Sequence, residues 1–406
     1  MNEAGAGAPA AGGRDDRLHY LDGYRAVAAL AVVFFHVGAV AKWTSTPSTL
    51  GLDPGAWRLR LGNYGVAIFF LLSGLVLYRP FLQASLDRTP FPSVGRYFGR
   101  RLARIFPAYL VALTAFFALG LSTVHNITPR EYLMQYLLLL NYDDRGFTIS
   151  MIVSWTLCIE IAFYLVLPIL AMGLRHLPGG QSTRLADRVT AQVAGLGLMV
   201  VAAWAYRIFL LRAHPVLPGN APNYLFSYLD WFALGMGLAL LLEAGRRGLR
   251  PPAWLQSLAD STGCCWLLAI LLYWLTVQLD ISGAFFLNPT ETLVRFALNG
   301  LSAFLLLLPA VIGRRESRPL RFLDTRPLVF LGSISYGIYL WHPIVLRVAE
   351  HTDVTFTTVS LLLFALATSI PLAYISLRFI EQPAMDAERR FERRRRARHT
   401  VVVAPA

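Results

Sequence analysis

The sequence predicts an all-α polytopic membrane protein with about ten transmembrane helices and one short re-entrant or interfacial helix at 131–140. Three observations predict it. Hydrophobic residues make up 56% of the 406 and charged residues only 15%, a balance outside the range of soluble domains. Apolar stretches of roughly 17–25 residues, long enough to cross the hydrocarbon core as helices, recur along the whole chain. Between them, arginine-bearing loops fall repeatedly on one side, the asymmetry that orients membrane proteins.

Residues 1–19 are Ala- and Gly-rich around "RDDR" and have no apolar core. They are expected to form a disordered cytoplasmic tail, and the first helix is then an uncleaved span and not a secretory signal. The spans follow at 22–41, 63–81, 105–122, 151–174, 189–211, 225–243, 263–279, 291–313, 328–348 and 356–378. The piece "EYLMQYLLLL" at 131–140 stands apart: ten residues reach about 15 Å as a helix, half the hydrocarbon thickness. Loop charge decides its role. If it does not cross, "RYFGRRLAR", "RHLPGGQSTRLADR", "EAGRRGLR", "GRRESRPLRFLDTRP" and "ERRFERRRRAR" all lie on the N-terminal side; if it crosses, every later loop inverts. Both termini are therefore expected in the cytoplasm and "NYDDRGF" outside, in the cytoplasmic membrane of a bacterium. A membrane domain over 20–382 is followed by a basic cytoplasmic tail, 383–406, solvated and suited to lipid headgroups.

The 37 basic residues against 24 acidic ones give a net charge of +13, but only Lys42 is a lysine. Part of such an arginine excess is expected to reflect a GC-rich coding sequence, and no nucleic-acid partner is implied. Cys158, Cys264 and Cys265 lie inside apolar runs and read as small hydrophobes; no disulfide framework and no metal site are expected. No repeat, coiled coil or fused soluble domain is visible.

The first span, "YLDGYRAVAALAVVFFHVG", carries Asp22, Arg25 and His36. Arg25 and His36 are eleven residues apart, about three turns, so they share a helix face ~16 Å apart along the axis. Asp22 joins that face one turn before Arg25. Intramembrane ionisable groups are costly without partners and usually face a cavity or pathway. The bland reading is an interfacial Asp22–Arg25 pair with His36 bonded to a neighbouring helix.

Six stretches, "LDGYRAVAALAVVFFH" (21–36), "GVAIFFLLSGLVL" (65–77), "RRLARIFPAYL" (100–110), "SWTLCIEIAFYLVLP" (154–168), "LGSISYGIYLWHP" (331–343) and "LRFIEQP" (377–383), occur in one order along nearly the whole chain. Together they resemble the acyltransferase-3 family of integral membrane O-acyltransferases. The resemblance implies a ten-span core and a donor, acyl-CoA, with acetyl-CoA the expected form, approached from the cytoplasm. It implies as acceptor a hydroxyl of a glycan, glycolipid or glycosylated metabolite. Arg25 and His36 occupy the family's basic-x10-His signature, and Arg101 and Arg104 its Arg-x-x-Arg pair. Some family members carry an appended esterase-like domain; here the chain ends soon after the tenth span, so transfer is expected within the membrane core or with a separate partner.

Ester transfer from a thioester needs a base for the hydroxyl proton. His36 can serve as that base or carry the acyl group briefly as an acyl-imidazole. Glu160, flanked one turn away by Thr156 and Tyr164, is expected to orient that imidazole and stabilise its protonated form. His342, with Ser335 and Tyr339 on its face, either lines the acceptor site or anchors an interface through "YLWH"; Asp22 and Tyr339 join it as candidate acceptor-binding residues. Arg101 and Arg104, with Arg25 at similar depth, are expected to hold the donor's phosphates. Ser73 and Gly74 are read as packing residues, and Arg378 with Glu381 as an ion pair. The competing class is a transporter or flippase using the Arg25–His36 stripe for protons or an anion; no inverted repeat or matched pair of broken helices supports it.

Overall fold

The computed structural model describes residues 20–41, 61–143, 145–213, 223–278, 289–314, 317–352 and 354–402. The expected N-terminal tail at 1–19, together with residues 42–60, 214–222 and 279–288, lies outside the described residues. Among the described residues the chain is helical with no strand, as backbone buried in lipid must be when each segment satisfies its own hydrogen bonds.

The helices are α1 (Leu21–Val40), α2 (Leu61–Leu86), α3 (Val94–Ala118), α4 (Pro129–Tyr136), α5 (Gly146–Ile149), α6 (Ser154–His176), α7 (Leu185–Ala213) and α8 (Leu229–Arg246). They continue as α9 (Ala253–Asp260), α10 (Thr262–Gln278), α11 (Pro289–Ile312), α12 (Arg318–Leu323), α13 (Arg326–Ser333), α14 (Ser335–Glu350), α15 (Thr358–Ser376) and α16 (Gln382–Val402). Among the described residues, eight stretches of helix are long and apolar enough to cross a membrane, and up to ten if each of the bent pairs α9–α10 and α13–α14 is one span.

Three expected boundaries change. The third span begins at Val94, not 105, because the helix extends through "GRYFGRRLAR" before entering its apolar stretch. The expected span at 328–348 is broken: α13 and α14 meet at 70°. Gly332 lies so close to α1 at this break that a Cβ there would come within 1.9 Å of the Asp22 carbonyl oxygen. The basic segment after 382 is helical to Val402, joined to α15 through a π-helical turn, Leu377–Glu381.

The short α4 does not cross. Its eight residues rise about 12 Å, and Thr128 and Glu131 close its N-terminus with a capping box. Arg145 pairs with Glu131 at 2.9 Å and Arg130 with Asp143 at 3.0 Å. Buried Gln135 donates to the Gly146 carbonyl at 2.9 Å, and Tyr109 Oη donates to the Gln135 carbonyl at 2.8 Å. The helix is thus a surface element held to α3 and α5, with Leu133 exposed.

At the centre, α2 and α8 are the most enclosed spans. They touch backbone to backbone: a Cβ on Gly74 would sit 2.3 Å from the Phe232 carbonyl oxygen, and one on Gly235 2.0 Å from that of Leu71. Small residues permit such close approach, which is the main source of helix affinity in lipid. On one side, Arg247 grips both oxygens of Asp87 at 2.7 and 2.6 Å. Those hydrogen bonds hold the Asp87 carboxyl below its usual range. Buried Glu243 takes Arg79 at 2.5 Å and Arg247 at 2.7 Å, and Arg175 donates to the Thr89 carbonyl at 2.8 Å. On the other side, buried Arg207 pairs with Asp230, donates through Nε to the Ser227 carbonyl at 2.9 Å and lies 4.4 Å from the centre of the Phe296 ring. These networks fix the two ends of the bundle around a cavity.

Candidate active site

That cavity, about 100 Å³, lies among α1, α2, α3, α6 and α14. Arg25, Arg101 and Arg104 line it together with Ser73, Glu160 and Tyr339, whereas His36 and His342 are not among its lining residues. Five of the expected site residues are thereby brought into one space.

Arg25 is bound to Asp22 at 2.6 Å, so Asp22 serves the arginine rather than standing free beside it. Arg101 and Arg104 also line a second, larger cleft of about 500 Å³ and form the wall common to both. Arg101 Nε is buried without a hydrogen-bond partner, as is the Tyr97 hydroxyl one turn earlier. Unpaired buried donors are costly, and two beside a guanidinium cluster suit an anionic ligand.

Glu160 accepts hydrogen bonds from Ser73 Oγ at 3.0 Å and Tyr164 Oη at 2.6 Å. The expectation that it orients His36 is corrected: the imidazole's partner is His342. His342 Nε2 lies 3.0 Å from His36 Nδ1, and His342 Nδ1 lies 2.9 Å from the Ile338 carbonyl oxygen. A carbonyl only accepts, so His342 Nδ1 carries the proton of that bond. In the neutral ring His342 Nε2 is then an acceptor, and the proton between the rings belongs to His36 Nδ1. His36 Nε2 keeps its lone pair. The helical i−4 carbonyl thus sets the tautomer of one ring, and that ring sets the tautomer of the next.

Tyr339 connects the two parts of the site. It lines the cavity, its hydroxyl is hydrogen-bonded to Thr156, and its ring meets that of His342 edge-on with centroids 6.1 Å apart. His36 lies one turn from the end of α1, partly exposed, whereas His342 is fully buried. Among the described residues no group of three His, Cys, Asp or Glu is placed to hold a metal ion.

Two minor expectations also change. Gly74 does pack, but Ser73 is a partner of Glu160. Arg378 and Glu381 do not pair: Arg378 donates to Gln382 at 3.1 Å, and Glu381, turned inward by the π-helical turn, accepts from Ser376 at 3.1 Å. The structure adds Tyr336, which lines the cavity and donates to the Ile105 carbonyl at 2.8 Å. Its hydroxyl in an apolar span beside Ser335 was the available signal.

A helical membrane core with an arginine-lined cavity, and an imidazole pair that meets the cavity's Tyr339, defines a membrane-embedded group-transfer or transport protein. Residues 18–378 match the family model described as an acyltransferase domain, so the chain belongs to that family. It is 24% identical to the peptidoglycan O-acetyltransferase OatA of Listeria monocytogenes, over 89% of this chain and 55% of that protein. It is likewise 24% identical to the O-acetyltransferase OatA of Staphylococcus aureus, over 89% and 56%, and 27% identical to ORF330 of Acidianus two-tailed virus, over 81% and 82%. The chain spans about half the length of the two OatA proteins. No solved structure matches it.

Proposed function

We propose that this chain is a membrane O-acyltransferase that moves a short acyl group, acetyl first among them, from cytoplasmic acyl-CoA to a hydroxyl of a glycan, glycolipid or glycosylated metabolite. The observation that carries the reading is the wall of Arg101 and Arg104 shared by the arginine cleft and the cavity, whose lining includes Tyr339, and the contact of the Tyr339 ring with that of His342 at 6.1 Å. Relatives named as O-acetyltransferases, one of peptidoglycan, support transfer to a glycan hydroxyl.

In this reading the donor's phosphates rest on Arg101, Arg104 and Arg25, and its thioester arm extends into the cavity. The acceptor hydroxyl approaches His36 from the opposite side of the membrane. His36 Nε2 removes the hydroxyl proton as the oxygen forms its bond to the thioester carbonyl carbon. The tetrahedral intermediate collapses, the carbon–sulfur bond breaks, and the proton passes from His36 to the thiolate. His342 accepts the His36 Nδ1 proton's hydrogen bond throughout and so supports the transient imidazolium. Glu160, Ser73 and Tyr164 keep a polar wall beside the thioester path. The arginine-bearing side is cytoplasmic, as the charge rule requires, with 20–382 as the membrane domain.

The test is thiol release from acetyl-CoA by the purified protein supplied with muropeptides or a short glycan. Acceptor-dependent release is expected. Its absence across glycan acceptors, together with counterflow of an anionic lipid or metabolite, would overturn the proposal in favour of transport.

A further inference from the structure

The family match ends at residue 378, yet the larger arginine cleft is half built from residues beyond it. Arg100, Arg101 and Arg104 line it from α3, and Arg389 and Arg393 line it from α16. The spacing of the latter two, one turn apart, points both side chains to the same face. Met385, Glu388 and Glu392 complete that face of α16.

The position of α16 is specified. Arg96 Nε donates to Glu392 Oε2 at 3.0 Å, and Glu388 Oε1 rests 3.2 Å from where a Cβ on Gly99 would be. A Cβ at 99 would require the Glu388 side chain to shift by a few tenths of an ångström, so that side chain packs α16 against α3 here. Five guanidiniums, one of them Arg389 at 3.5 Å from Asp386, then line a cleft holding two carboxylates: Glu392, paired with Arg96, and Glu388, whose Oε1 is buried without a hydrogen-bond partner. Arg101 Nε, in the same wall, lacks a partner. Concentrated like charge around a solvent-connected space of about 500 Å³ calls for a polyanion.

We infer that α16 forms the second wall of a nucleotide-phosphate site in which Arg389 and Arg393 bind the adenosine bisphosphate end of CoA opposite Arg100, Arg101 and Arg104. The inference rests on the donor reading above and extends it to residues outside the shared domain. The apolar face of the cavity receives the arm of the donor; the cleft reads the nucleotide. The same chemistry also fits an anionic lipid headgroup, and the test separates the two.

The full chain in phosphatidylcholine nanodiscs is titrated with CoA, adenosine 3′,5′-bisphosphate and pantetheine. The wild type is expected to bind the first two and to bind pantetheine far more weakly. R389A/R393A should weaken CoA and adenosine bisphosphate at least tenfold and leave pantetheine unchanged. R390A/R394A, which removes two exposed arginines from the same helix outside the cleft, should change none. Equal weakening of all three ligands by R389A/R393A would mean a merely structural helix and would overturn the inference. So would unchanged CoA binding, or CoA binding abolished in the wild type by exchange into phosphatidylglycerol nanodiscs, the result expected of a lipid site. A wild type that binds no CoA at all in either lipid overturns the donor reading itself, a different outcome from a wild type that binds and a variant that does not differ from it.

Discussion

His36 and His342, 306 residues apart in sequence, share one hydrogen bond of 3.0 Å. Because the second ring is anchored to the Ile338 carbonyl, the first is left with its basic nitrogen free.

His36→Ala is expected to lower turnover by 10²–10⁴-fold, the usual contribution of a general base, while the protein stays folded and inserted. His342→Ala should lower it by about 10–10²-fold, since a supporting partner of this kind acts through orientation. His342→Gln should recover part, because an amide oxygen can accept from His36 Nδ1. Thiol release from acetyl-CoA, read beside thermal unfolding of each variant, checks the set; wild-type turnover by folded His36→Ala would end the base assignment.

Arg101→Ala and Arg104→Ala should each raise the KM for acyl-CoA on the order of ten- to a hundredfold, the loss of one charge-assisted contact worth ~1.5–3 kcal/mol. Arg→Lys at either site should recover only part, since an ammonium lacks the bidentate fork. Arg250→Ala, on an exposed loop on the same side, is the control. Arg96 is unsuitable for that purpose because it holds Glu392 of α16. Comparable shifts in all variants would mean that the arginines act only through the general potential.

Gly235→Ala should destabilise the fold by about 1–3 kcal/mol, the cost of forcing a methyl into a filled contact, since its Cβ would meet the Leu71 carbonyl at 2.0 Å. Gly237→Ala, on the same helix with nothing within 4 Å, should be neutral or slightly stabilising. Unfolding midpoints in detergent distinguish the two; equal effects would show that α2 and α8 are not in backbone contact.

After replacement of exposed Cys264 by Ser, a cysteine at His125 should react with a membrane-impermeant thiol reagent in intact cells, and one at Arg184 should not. Both positions are exposed. They lie at opposite ends of the bundle: His125 follows α3, and Arg184 precedes α7. Labelling at Arg184 alone would invert the orientation and place the donor cleft outside.

The helical spans and the polar residues within them were legible in the sequence, and the partnerships among those residues were only partly so. The Asp22–Arg25 pair could be read because both belong to one helix, three residues apart. Glu160 was recognised as a polar group inside an apolar span, but Ser73 and Tyr164 as its partners, and His342 as the partner of His36, required knowing which helices are neighbours. The continuity of α15 into α16 was hidden for another reason: a strongly charged segment reads as solvated end, and nothing in its composition reveals that Glu392 meets Arg96 across nearly three hundred residues.

The sequence by itself determined that the chain is a bundle of membrane helices and which residues in it are too polar to be there without a purpose. Those properties are local, because a span must satisfy its backbone internally and match the bilayer in length whatever surrounds it. Only the tertiary structure decided which groups meet. In lipid the helix faces are chosen by close packing, such as the Gly74–Gly235 contact, and not by hydrophobicity, since the solvent is as apolar as the side chains; the pairing of His36 with His342 is a consequence of that packing, whereas α16 meets the arginines of α3 through the Arg96–Glu392 ion pair.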